Sequence, residues 1–174
     1  MYFFINALSF IGNFGPIILF LLSLYFLNKT SNALYYYIIG LLLNLILNII
    51  LKLTFKQPRP RDNEDLFKLA LNYVNKYNQT LPFDVYGMPS GHAQSVFYST
   101  IFIHLMLQNS KITIIYLLIS IITIFQRVEE LHHTIFQVII GSFIGMIVGY
   151  FIFHLYKLKM TGNLALKKDD YALF

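Results

Sequence analysis

Residues 34–60 read LYYYIIGLLLNLILNIILKLTFKQPRP, and two features of that run decide the fold. From 34 to 55 it is apolar, close to the ~20 residues a helix needs to cross a hydrocarbon core. Within it Gly40, Asn44, Asn48 and Lys52 recur every four residues and so stack on one helical face. Polar groups in a span face protein or water, so this stripe points into a bundle of other helices.

The rest of the chain has the same character. Of its 174 residues 57% are hydrophobic and only 12% are charged, and the mean hydropathy is +0.61, the signature of an integral membrane protein. Apolar runs occupy 3–27, 34–55, 93–108, 112–125 and 134–156. Since only helices or closed barrels satisfy their backbone in lipid, they predict an all-α polytopic bundle of five spanning helices, a single domain over 1–174. The first run holds Gly12, Asn13, Gly15 and Pro16, which predicts a kink or break. The fourth is about 14 residues, or ~21 Å, and is expected to thin the bilayer or end below its surface.

A net charge of +5 belongs, in such a chain, to loops rather than to a nucleic-acid surface. The absence of cysteine excludes disulfides and thiol chemistry. Residues 1–6 lack a basic n-region and a cleavage site, so the first span is expected to remain as an anchor.

Counting crossings puts the loop between spans two and three on the same side as the loop between spans four and five. The other side carries Lys29, Lys111, Lys157, Lys159, Lys167 and Lys168, and the positive-inside rule makes it cytoplasmic. Cations on the first side, such as Lys52, Arg59 and Arg127, are then reserved for an anionic ligand. Asn28-Lys29-Thr30 and Asn78-Gln79-Thr80 are glycosylation sequons on opposite sides. The 57–88 loop contains an amphipathic segment with Leu66, Leu69, Ala70, Tyr73, Val74 and Tyr77 at helical spacing. Asp62, Glu64 and Asp65 suit its dipole. It reads as an interfacial helix on the membrane, or as a cap over the bundle.

In the fifth span His133, Gln137, Gly141, Gly145 and Gly149 share one face, and the glycines form a ridge for close helix packing. Three clusters therefore converge on one side: Lys52 with Arg59-Pro60; Pro89-Ser90-Gly91-His92 at the start of the third span; and Arg127 with His133. Lysine and arginine suit phosphate oxygens. Ser90 is placed to cap the third helix and Gly91 to allow close approach, so the free N–H groups there form an anion site. His92 stands at its edge as a proton donor. Two histidines, three cations and a helix N-terminus point to phosphoryl transfer through a phosphohistidine, with no metal or cofactor needed.

Lys52-x6-Arg59-Pro60, Pro89-Ser90-Gly91-His92 and Arg127-x5-His133 together resemble the three signature blocks of the type-2 phosphatidic acid phosphatase superfamily, within about 52–137. "QPRP", "YGMPSGHAQ" and "HHTIFQV" are most similar to the dolichyl diphosphatase branch. The resemblance implies His133 as nucleophile and His92 as general acid, then base toward water. It implies Lys52, Arg59, Ser90, Gly91 and Arg127 as phosphate holders, with Gln137, Pro60 and Pro89 in support. It further implies an endoplasmic-reticulum protein with a lumenal site, or an extracytoplasmic site in a prokaryotic plasma membrane, converting a polyprenyl (dolichyl) diphosphate to its monophosphate. Phosphatidate, lysophosphatidate and undecaprenyl diphosphate remain alternative substrates, and a non-catalytic lipid-binding scaffold an alternative role.

Two positions depart from the superfamily: Gln126 replaces a serine and Gln137 an aspartate, the latter as in the dolichyl branch. Glu129 or Glu130 is the expected substitute for polarising the nucleophile. Glu129-Glu130-Leu131-His132-His133 offers metal-ligand types, but the neighbouring cations disfavour a metal. His104, His132 and His154 read as structural; Lys56, Arg61, Lys68 and Lys76 read as solvated charges.

Overall fold

The computed structural model describes the backbone of residues 2–170 and the side chains of residues 8–162. Residues 1–6, read above as an uncleaved start, and Lys167 and Lys168 lie outside the described side chains. The elements are α1 (Tyr2–Leu27), α2 (Ser31–Phe55), α3 (Glu64–Lys76), a single 3-10 turn (Phe83–Val85), α4 (Gly91–Leu107), α5 (Ser110–Glu129) and α6 (Ile135–Asp170). Among the described residues all regular structure is helical.

Four helices, α1, α2, α5 and α6, are long and apolar enough to cross a bilayer. α4 is shorter, 17 residues or ~26 Å at the helical rise. It packs against all four of the others and so occupies the centre of the bundle. A helix wrapped in protein need not match the bilayer's thickness, which is why the shortest of the five bundle helices is tolerated there. Outside, residues such as Ile17, Leu21, Leu42, Ile46, Ile121, Phe143 and Phe151 stay exposed as a lipid-facing belt.

Two expectations about length and continuity are corrected. α5 is not a 14-residue stub: it has 20 residues, ~30 Å at the helical rise. Asn109 starts it early by accepting from the N–H groups of Lys111 and Ile112. Its C-terminal turn continues through Gln126 and Arg127 because both polar side chains are buried inside the bundle. Of the kink or break expected at Pro16 the break is excluded, since α1 runs as one helix through it.

The central packing is set by the two small-residue patterns. On α6 a Cβ at Gly141 would lie 2.5 Å from the Ser90 carbonyl oxygen, and one at Gly149 would lie 2.7 Å from that of Tyr98. At Gly145 it would strike the Gln94 carbonyl. The glycine ridge therefore rides on every fourth residue of α4, backbone to backbone. On α2 the predicted stripe is buried, and Gln94 of α4, wholly buried, reads it. The Gln94 Nε2 donates to the Asn44 carbonyl and to Asn44 Oδ1, each at 2.9 Å, while its Oε1 accepts from Asn48 Nδ2 at 2.8 Å. Asn44 and Asn48 thus act as interhelical adhesive, saturating one buried amide.

α3 is capped by Asn63, whose Oδ1 accepts from Asp65 and Leu66 N–H groups. Its predicted apolar face is split. Val74 and, from the neighbouring row, Phe67 are buried, and Phe67 meets Tyr86 edge-on at 6.2 Å. Leu66, Leu69, Tyr73 and Tyr77 remain exposed, a face fit for a membrane interface rather than a lid packed wholly on the bundle.

One crossing separates Asn28 from Asn78, and the chain has no cysteine to interfere with labelling. Single cysteines at these two positions are expected to react with an impermeant maleimide from opposite faces of sealed vesicles. Labelling of both from one face contradicts the topology.

Candidate active site

The site is built where the chain enters and leaves α2, α4, α5 and α6 on one side of the bundle. Its framework is a set of backbone bonds between separate segments. Ser90 N–H donates to the Gln137 carbonyl at 3.1 Å, and Gly87 N–H to that of Gln57 at 2.8 Å. Gln137 Nε2 donates to the Pro58 carbonyl at 3.0 Å. Glycine is required at 87, because a Cβ would fall within 2.8 Å of both the Gln137 amide and the Pro58 carbonyl. These bonds bring the three signature segments together at one place.

Around a cavity of about 400 Å³ stand Lys52 from α2, Arg59 from the following loop, Gly91 and His92 from α4, Arg127 from α5 and His133 before α6. Every charged or histidine member of the predicted set therefore lines one space. Gln137, Pro60, Pro89 and Ser90 do not line it. Ser90 is fully buried and caps α4, its Oγ accepting from Ala93 N–H at 3.4 Å. Pro89 offers its carbonyl to Asn48 Nδ2 at 3.3 Å. Pro60 stands exposed in the loop after Arg59.

Each cation is held by neutral oxygen. Lys52 Nζ donates to the Tyr86 carbonyl at 2.6 Å, and Arg59 Nη2 to the Asp84 carbonyl at 2.5 Å. Arg127 Nε donates to Gln126 Oε1 at 2.7 Å and its Nη2 to Asn13 Oδ1. Among the described residues the ion pairs are Lys68–Glu64 and His132–Glu130, so no carboxylate pairs with the charged group of any of the three; Asp62 accepts only from the Arg59 backbone N–H. Asp84 is the one acidic side chain on the cavity wall. Such a space holds a concentrated positive field in a partly desolvated setting, which favours an anion of more than one charge.

His133 is 4% exposed, and its ring is fixed by a bond that assigns the tautomer. A carbonyl only accepts, so the Nδ1–H donates to the Gly87 oxygen at 2.8 Å and Nε2 keeps its lone pair. Gln137 Oε1 is a longer second acceptor at 3.4 Å, itself steadied by Thr134 N–H. Desolvation, then the charges of Arg59 and Lys52, lower the His133 pKa to about 3 against the partial offset of these bonds. The ring is neutral across the physiological range.

The expectation that Glu129 or Glu130 polarises this histidine is corrected. Glu130 accepts from Ser9 Oγ at 3.0 Å and from His132 Nε2 at 3.1 Å, and Glu129 is exposed. The backbone of Gly87 holds the Nδ1 of His133 instead. His132 and His133 consequently turn to different partners, and among the described residues no group of three or more His, Asp or Glu is arranged to hold a metal.

Three residues on or behind the cavity were not legible as site residues. Asp84 and Gly87 carry no spacing or residue-type signal that sets them apart from other loop residues. Asn13, read only as part of a kink, lines the cavity and offers its carbonyl to His92 Nε2 at 3.2 Å. An amide side chain in the middle of the apolar first span was the available signal.

A family model described as PAP2 superfamily matches residues 33–161. No curated protein and no solved structure matches the chain significantly.

The depressed pKa of His133 links the site to acid stability. An unfolded histidine binds a proton below its ordinary value of 6.5, whereas the folded one does not until about 3, so its contribution is whole above the first value and is lost as pH falls toward the second. Replacing His133 by Gln removes that titration. In detergent, the wild-type thermal midpoint is expected to lose ground against His133→Gln between pH 7 and pH 4.5; a constant difference contradicts the assignment.

Proposed function

This chain belongs to the PAP2 superfamily, a group of phosphatases, and on that premise we propose that it hydrolyses a polyprenyl (dolichyl) diphosphate to the monophosphate and inorganic phosphate. The observation that carries the reading is the convergence of Lys52, Arg59, Arg127, His92 and His133 on one cavity with no cation tied to a carboxylate. A buried charge normally has a compensating partner, and here the substrate's terminal phosphate supplies it.

In this scheme the phosphate lies among the three cations and against the first N–H groups of α4, of which that of Ala93 is already taken by Ser90 Oγ. The His133 Nε2 lone pair forms the bond to phosphorus as the bond from phosphorus to the bridging oxygen breaks. His92 gives a proton to that oxygen, and the lipid monophosphate leaves. Water then attacks the phosphohistidine while His92 takes its proton, releasing phosphate and restoring the Nε2 lone pair. The dianion next to His92 favours the protonated form the first step needs. The cations spread the charge of the transferring group through both steps.

The leaving monophosphate is a weaker base than an alkoxide, so a diphosphate asks least of His92. This agrees with the "QPRP", "YGMPSGHAQ" and "HHTIFQV" resemblance to the dolichyl diphosphatase branch. The lipid tail extends into the bilayer past Ile17 of α1 and Leu45 of α2, both on the cavity rim and both exposed. With the positive-inside assignment the site faces the lumen of the endoplasmic reticulum, or the extracytoplasmic side of a prokaryotic membrane.

Phosphate release from dolichyl diphosphate, undecaprenyl diphosphate, phosphatidate and lysophosphatidate, with chelator present, tests the reading. Dolichyl diphosphate is expected to be turned over fastest, and His133→Ala to lower the rate at least about a thousandfold. Equal rates in wild type and variant remove the nucleophile. No release from any of the four lipids leaves a lipid-binding scaffold.

A further inference from the structure

The first helix contributes to the site although the family match begins only at residue 33. Its approach is enforced by small residues. A Cβ at Gly12 would fall 2.5 Å from Gln126 Cβ, and one at Gly15 would strike Thr123 Oγ1, so only glycine lets α1 lie this close to α5. That seating carries Asn13 to the cavity wall beside Arg127 and His92.

Arginine has five N–H donors in a rigid fork. One, on Nε, is taken by Gln126 Oε1 and a second, on Nη2, by Asn13 Oδ1. Three are left for a ligand. Both acceptors are neutral amides, so the guanidinium is oriented while its full charge stays available. The two carboxylates close at hand in sequence form no ion pair with it: Glu130 is bonded to Ser9 and His132 and acts on Arg127 only through space, and Glu129 is exposed.

We propose that Asn13 and Gln126 form a neutral amide clamp on Arg127, making Asn13 of the first helix a positioning residue for phosphate capture. The clamp also accounts for Gln126, the departure from the superfamily's serine: a longer amide reaches the Arg127 Nε, and Gly12 opposite makes room for it. Asn13 serves the other side of the cavity through its carbonyl, which accepts from His92 Nε2.

The inference rests on the phosphate reading of the cavity, and orthovanadate, an inorganic phosphate analogue, separates the two. Binding is measured by titration calorimetry on the full-length protein in detergent. Asn13→Ala is expected to weaken vanadate about tenfold, as loss of one hydrogen bond to a charged group does. Asn13→Asp, nearly isosteric, is expected to weaken it by roughly a hundredfold or more, because a carboxylate cancels the Arg127 charge. A role in packing alone gives the opposite order, since aspartate conserves shape and alanine does not.

Vanadate affinity in Asn13→Asp equal to or better than in Asn13→Ala overturns the clamp and leaves the phosphate reading standing. A wild type that binds no vanadate removes that reading and the clamp with it. Should Asn13→Asp fail to fold, Asn13→Ala and Gln126→Leu carry the test: each is expected to show the tenfold loss, and wild-type affinity in both overturns the proposal.

Discussion

The backbone contact between α4 and α6 is the constraint on which the site depends. Gly141, Gly145 and Gly149 press against the carbonyls of Ser90, Gln94 and Tyr98, at separations no Cβ allows. This fixes the register of one helix on the other. The register in turn sets Ser90 N–H on the Gln137 carbonyl, and brings the loop ending at Met88-Pro89 against the start of α6. His92 sits at the head of α4 and His133 just ahead of α6, so two histidines 41 positions apart in sequence reach one cavity. Packing between helices in lipid lacks the hydrophobic drive of water, so close approach and buried amides supply the specificity.

A second theme is charge held by neutral oxygen. The carbonyls of Tyr86 and Asp84 and the amides of Gln126 and Asn13 restrain three cations without cancelling them. The Gly87 carbonyl does the same for His133, fixing the proton on Nδ1. In an enzyme with an aspartate behind its histidine, that carboxylate would favour the imidazolium. Here a carbonyl and an amide orient the ring and leave it neutral, with the Nε2 lone pair free. In the proposed reaction the cationic field then acts on the substrate.

Much of this arrangement was legible in the chain, for identifiable reasons. The four-residue interval of Gly40, Asn44, Asn48 and Lys52 and that of the α6 glycines report burial directly, because lipid punishes misplaced polarity. The convergence of the charged blocks followed from counting crossings. Length at the ends was less legible: hydropathy loses a helix at Gln126 and Arg127, whose polar side chains are buried inside the bundle. The backbone acceptors were invisible because every residue has a carbonyl, and only the fold decides which one faces a histidine. Glu129 and Glu130 looked like polarising groups by proximity in sequence, yet the turn at Leu131, with its positive φ of 54°, carries them away from the ring.

The central claim is that residue 133 carries the phosphoryl group during turnover. Its most direct test is an alkaline quench of the His92→Ala variant after mixing with dolichyl diphosphate, followed by peptide mass spectrometry. With the base toward water removed, an acid-labile, alkali-stable phosphoryl group is expected to accumulate on His133. Phosphate released with no modified peptide, or with the phosphoryl group on another residue, contradicts the account.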